Sequence, residues 1–237
     1  MTMSALALID EIAATRAHVA QDPGALGRLQ ALQRWQVERL QLTYSDFSAD
    51  RRHRAALAFF IEDLYGPHDF TQRHRDLRKV LHQWERLLGE RARQAMMHAL
   101  ELEALTQSLD LAVLTALGAA NLTIVSYAAA YRRADRREDR QRQIWLILGA
   151  GRALDALIDV PAIGVALRAA RLPARMIGVS ALQNFLERGY RAFKAMGGAQ
   201  ELLRSIEQRE TAIMQRLFAG SADPFRINDP IRSARTS

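Results

Sequence analysis

The sequence predicts an all-α fold, a single-domain multi-helix bundle of about ten helices with an extended C-terminal tail. Three observations predict it. Apolar residues recur at helical spacing almost throughout the 237 residues. Ala, Leu, Arg, Gln and Glu dominate, and all five form helices readily. No window alternates apolar and polar residues in the strand manner, and no Asn-Gly or Asp-Gly turn joins β-branched runs.

Breakers and caps divide the chain in order. Ser4 to Ala20 is the first helix, with Leu8, Ile12 and Val19 facing inward. Asp22-Pro23 offers an N-cap followed by proline at the first helical position. A second helix runs from there to about Tyr44, with Leu29, Leu32, Trp35/Gln36 and Leu40 on its core side and Val37 as a further candidate. Ser48 or Asp50 caps a third, which ends before Gly66-Pro67. Asp69 or Thr71 starts a fourth, ending near Gly89, and a fifth spans Glu90 to about Leu117. Asn121 to Arg133 and Asp135 to Ile158 are two helices or one bent helix. Pro161 and Pro173 bracket a short one. Ser180 caps the next, which stops at Gly197-Gly198, and the last spans Ala199 to Ala219. Residues 1–219 thus form one helical domain. Residues 220–237 form an extended tail that frays at its end, with Phe225 and Ile227 as its large apolar anchors. No repeat of 30–50 residues points to a solenoid.

Composition removes several chemistries. There is no cysteine, so disulfides, thiolate metal sites and cysteine nucleophiles are excluded. No Gly-x-Ser-x-Gly elbow, P-loop or dinucleotide fingerprint occurs. Gly149-Ala-Gly151 lies in a helical pattern, where small residues permit close helix contact. The first residues carry no Lys or Arg, and Asp10 and Glu11 interrupt the apolar stretch, unlike a secretory signal, which points to the cytoplasm. From Leu111 to Tyr131 no residue is charged, a length suited to a bilayer span. Gly118-Ala-Ala-Asn121 breaks that run, so it reads as a buried helical hairpin and no transmembrane span is expected.

Phe59-Phe60-Ile61-Glu62-Asp63-Leu64-Tyr65 resembles the signature of the FFLEELY-motif family of uncharacterised bacterial proteins, with Ile61 and Asp63 as conservative departures. The stretch from Phe185 to Gly198 resembles the same family. The resemblance implies a bacterial source and carries no activity, cofactor or catalytic residue with it.

On an α-helix, Leu57, Phe60, Ile61 and Leu64 form one apolar stripe, with Glu62 and Tyr65 sharing a neighbouring face. Amid this bulk Glu62 is expected to be partly buried and paired with one of the many arginines; Lys79 and Lys194 are the only lysines. Glu101, among Met97, Ala104 and Leu105, is a second candidate for a buried carboxylate. The pairs Asp50/His53 and His98/Glu101 have helical i, i+3 spacing, and Glu62, Glu101 and His98 converging on a metal is the alternative, enzymatic reading. The bundle has no Glu-x-x-His of the di-iron type, however, and no metal ligand set is assigned.

The net charge of +7 and the sequence pI near 10.4 suggest an anionic partner. Arg132, Arg136 and Arg140 recur at i, i+4, but Asp135, Glu138 and Asp139 interleave, as on a solvated helix face. That dilution, with no reading motif, argues against nucleic acid. Val160 to Leu186 is different: it holds no acid, and Arg168, Arg171 and Arg175 fall on one face if Pro173 is tolerated. Such an amphipathic basic segment suits an anionic membrane or ligand. The sequence reading is therefore a non-enzymatic binding protein. It has an interior polar site at Glu62, Tyr65 and Glu101, and an arginine surface at Arg168, Arg171 and Arg175 for an anionic small molecule or lipid. The metal-dependent enzyme is the alternative. The cofactor is undefined and a homo-oligomer is left open.

Overall fold

A computed structural model describes residues 3–65, 71–87 and 89–226, and among them every regular element is helical. The helices are α1 (Ala5–Ala20), α2 (Pro23–Thr43), α3 (Ser45–Ala49) and α4 (Arg54–Ala58). A π-helical turn (Phe59–Tyr65) follows, then α5 (Thr71–Leu87), α6 (Glu90–Leu117), α7 (Ile124–Ala134) and α8 (Arg137–Ile158). The chain ends in α9 (Pro161–Ala169), α10 (Arg171–Met176), α11 (Ser180–Met196) and α12 (Gln200–Ala219). The multi-helix all-α architecture read from the sequence is the one observed. Gly66-Pro67, Asp69, Ile227 and the rest of the tail lie outside the described residues.

Local chemistry sets most boundaries. Ser4 Oγ accepts from the Ala7 amide at 3.2 Å, and Asp22 Oδ1 accepts from the Gly24 amide at 2.8 Å ahead of Pro23. Gly197 and Gly220 close α11 and α12 in the left-handed region, φ +65 and +76. Two caps differ from expectation. Helix α7 starts from Thr123, not Asn121, because Thr123 and Ser126 form a reciprocal capping box. Ser180 does not cap α11. Instead Asp76 on α5 reaches across and accepts from the Ala181 and Leu182 amides at 3.1 and 3.2 Å.

The uncharged run is α6 and α7 joined by the break at 118–123, and no helix among the described residues is long and apolar enough to cross a membrane. The arginines after it cap helix ends. Arg133 donates to the Ala116 carbonyl at the end of α6, and Arg132 to the Leu217 carbonyl at the end of α12.

Helix α6 is the axis of the fold, packed on α1, α2, α7 and α8. Three apolar clusters surround it. One joins Phe59, Phe193, Leu202 and Ile206. A second joins Ile9, Leu81, Leu100 and Leu182. A third joins Leu32, Val113, Tyr127 and Leu217. Phe225, just past α12, folds back onto Trp35 and Tyr127, with ring centroids 5.8 and 6.1 Å away. Close helix approach depends on glycine. A Cβ at Gly151 would lie 2.4 Å from Leu203, and one at Gly189 would lie 2.8 Å from the Phe59 ring.

Candidate functional site

Two adjoining cavities lie between these clusters. The larger, about 430 Å³, is bounded by the π-turn, α5, α6, α8, α9 and α11. Packed interiors seldom leave a void above the size of a water. This one falls within the roughly 300–1,000 Å³ range of small-molecule pockets. Its origin is small side chains where bulk would fill the gap: Ala92, Ala95 and Ala99 on one face of α6, met by Ala150, Ala166 and Gly189. Most of the remaining wall is Leu, Ile, Phe and Met, with Gln183 and Tyr190 on the α11 side.

One polar cluster meets that wall. Glu103 accepts from Arg16 at 2.8 Å and from Arg73 at 3.3 Å, and its Oε2 lies 2.9 Å from His74 Nε2. Burial alone would raise the Glu103 pKa. His74, Arg73 and Arg16 outweigh it and hold the carboxyl below its usual value. Arg73 also donates to the Asp63 carbonyl at 2.8 Å and stacks 4.4 Å from the Phe185 ring. The Glu103 carboxylate thus gathers Arg16, Arg73 and His74 at the edge of an apolar chamber.

Helix α9, with Ala170 just after it, closes the larger cavity on one side, and α10 follows directly. Ile163, Ala166, Leu167 and Ala170 face inward. The pair is fastened to α11 by Glu187, which binds Arg171 through both carboxylate oxygens at 2.6 Å each. Gln183 completes the fastening, donating to Glu187 at 2.8 Å and to the Leu167 carbonyl at 2.6 Å. These bonds from Arg171 and Gln183 hold the Glu187 pKa down to about 2.

The smaller cavity, about 130 Å³, is polar on one side. Asp110, fully buried, accepts from Gln36 at 3.1 Å and Gln33 at 3.4 Å, and burial raises its pKa against the charge of Arg140. Tyr65 donates to the Gln36 side-chain oxygen. Burial raises the Tyr65 and Tyr127 pKa values too, so both phenols stay protonated. Arg140 donates to Gln143 at 3.0 Å, and Gln143 donates in turn to Thr106 at 2.9 Å. Arg39 and Tyr44 share Glu210 at 2.7 and 3.0 Å. Leu64 and Leu102 line both cavities.

The residues singled out from sequence fall in different places. Tyr65 lies in the smaller cavity. Glu62 is exposed, contrary to the burial expected of it. The reason is the π-turn: it bonds i to i+5, so residues three apart no longer share a face, and Phe59 and Ile61 take the interior. Glu101 is half-buried and pairs with Arg142 at 3.0 Å, away from Tyr65's network. Arg168 and Arg175 are exposed, whereas Arg171 turns to Glu187, because the helix breaks between Ala169 and Arg171. Arg132, Arg136 and Arg140 likewise leave a common face, because Asp135 adopts φ +47 between α7 and α8. Arg140 is buried instead of solvated. His53 Nδ1 lies 2.7 Å from Asp50, while His98 packs on Trp145. Among the described residues no three His, Asp or Glu side chains gather as a metal would need.

Sequence reasoning passed over Asp110 and Glu103, and it placed Arg140 on a solvated face. Asp110 carried a signal: Leu109, Val113 and Leu114 flank it, at the threshold of the uncharged run. No curated protein and no solved structure matches the chain. Residues 15–224 match the family described as "Domain of unknown function (DUF8198)", and the chain belongs to that family.

Proposed function

We propose that the chain is a non-enzymatic binding protein for an amphipathic, lipid-like anion. The larger cavity carries this reading: an apolar chamber of about 430 Å³ kept open by alanines, with Arg73, His74 and Glu103 in its wall. An apolar chain lies along Ala95, Ala99, Ala166 and Leu186. An acidic head meets the polar edge of the chamber at Arg73 and His74. The π-turn residues Phe59 and Leu64 form part of the wall, so the FFLEELY-like segment is a structural frame for the ligand. The FFLEELY-motif kinship, a bacterial source and a cytoplasmic location belong to the same proposal. Of the positions singled out from sequence, Glu62 and Glu101 take no part in this ligand contact.

Native mass spectrometry of gently purified protein tests it, together with displacement titration of a fluorescent fatty acid. The wild type is expected to carry or take up the amphiphile. Ala99→Trp, which fills the chamber, is expected to lose uptake at least tenfold while keeping its helical circular dichroism. Absence of any bound amphiphile in the wild type, or undiminished uptake by Ala99→Trp, overturns the reading.

A further inference from the structure

The segment from Val160 to Ile177 has two apolar sides, and only one is satisfied. Its inner side walls the chamber. Its outer side leaves large apolar side chains in water: Val165 is 59% exposed, Leu172 67%, Met176 79% and Ile177 55%. No other stretch of the described residues exposes so many so close together. Single exposed apolar residues are ordinary, but a contiguous group marks a surface that meets something.

The charge around the group says what it meets. No acid occurs from Val160 to Leu186. Arg168 and Arg175 are exposed and have no ion-pair partner among the described residues. Glu187, the carboxylate that binds this segment, is already engaged by Arg171 and Gln183. A protein partner with an ordinary polar rim would need acids placed to match two separate arginines. A bilayer rich in anionic lipid supplies phosphates everywhere along its surface and an apolar layer directly beneath. Short helices bearing Leu, Met and Ile beside Arg are suited to lie in that interface, with the arginine stems extending to the phosphates.

We infer that the outer face of α9 and α10 docks on an anionic membrane surface, with Leu172, Met176 and Ile177 entering the interface and Arg168 and Arg175 on lipid phosphates. Helix α9 also covers the chamber, so docking brings that cover against the bilayer, and the ligand passes between the two there. That second part rests on the chamber being a lipid site; the docking does not.

Flotation of the full chain with vesicles of neutral phosphatidylcholine, or of phosphatidylcholine mixed with phosphatidylglycerol, tests the docking. The fluorescent fatty acid is titrated in parallel without vesicles. Wild-type protein is expected to float with the mixed vesicles far more than with the neutral ones. Two arginines near an anionic surface, each worth about fivefold, give Arg168→Gln/Arg175→Gln a loss of roughly 30-fold in that partition. Met176→Ser/Ile177→Ser is expected to weaken flotation while leaving fatty-acid uptake unchanged, which also shows that it folds. Equal recovery with both vesicle types, or none with either, overturns the docking whatever the fatty acid does. A self-associating wild type, made monomeric by Met176→Ser/Ile177→Ser and not floated by anionic vesicles, overturns it in favour of a second copy on this face. Flotation without fatty-acid uptake keeps the docking and removes the lipid chamber.

Discussion

Arg171 on α10 and Glu187 on α11 meet in a two-point ion pair, Nε to Oε1 and Nη2 to Oε2, each 2.6 Å. The pair ties the start of α10, and with it the end of α9 that walls the larger cavity, to α11. Glu187 titrates near pH 2 in the folded chain against an ordinary 4.5. A depressed carboxyl stabilises the fold above its unfolded value, and that contribution is lost as pH falls from about 4.5 to 2. Acid unfolding of Glu187→Gln is expected to be shallower across that window than wild-type unfolding. Amide hydrogen exchange over residues 161–176 is expected to quicken in the same variant at neutral pH.

Glu103 is expected to be among the most sensitive positions. It is nearly buried and answers Arg16, Arg73 and His74 together. Removing its charge weakens its contacts with Arg16, Arg73 and His74 at once in a mostly dry place. Glu103→Gln is expected to cost about 3 kcal/mol in urea unfolding, in keeping with broken buried pairs.

Gly189 has no room for a methyl group. Its Cβ would meet the Phe59 ring at 2.8 Å, and that ring is itself wedged against Phe185 and Phe193, centroids 5.2 and 6.4 Å away. Gly189→Ala is expected to destabilise by about 1–3 kcal/mol despite the better helix propensity of alanine, read from thermal or urea unfolding.

Asp110 gives the opposite pH signature to Glu187. Its folded pKa is raised by burial. A raised carboxyl favours folding below its unfolded value, and that gain disappears as pH rises through the folded one. Asp110→Asn is expected to remove this decline, so the ratio of variant to wild-type stability grows as pH rises from 4 upward.

The helices were legible because their punctuation is local. Asp22-Pro23, Gly118, Pro161 and Gly197 mark ends within a residue or two of those observed. What escaped is long-range or degenerate. The cap on α11 comes from Asp76, 105 residues before the amide it serves, and no local pattern reveals that. The reading of one helix from about Asp50 to Tyr65 missed the π-turn, because a widened turn has the same composition as an α-turn. Arg140 was one arginine among many and lay in a charged run that reads as surface. Asp110 was readable by the reasoning applied to Glu62, and that reasoning was spent on the wrong carboxylate. Space itself left the faintest trace: Ala92, Ala95 and Ala99 looked like good helix formers, and only the facing helices show them to be the wall of a cavity.

Leu64 and Leu102 are common to both cavities, like a partition between two rooms. A molecule in the larger room presses on the same two side chains that shape the smaller. Whatever factor its presence applies to the affinity of the polar room, an occupant there must return in equal measure. The segment that first stood out as a string of letters is thus also the place where two binding equilibria would be joined.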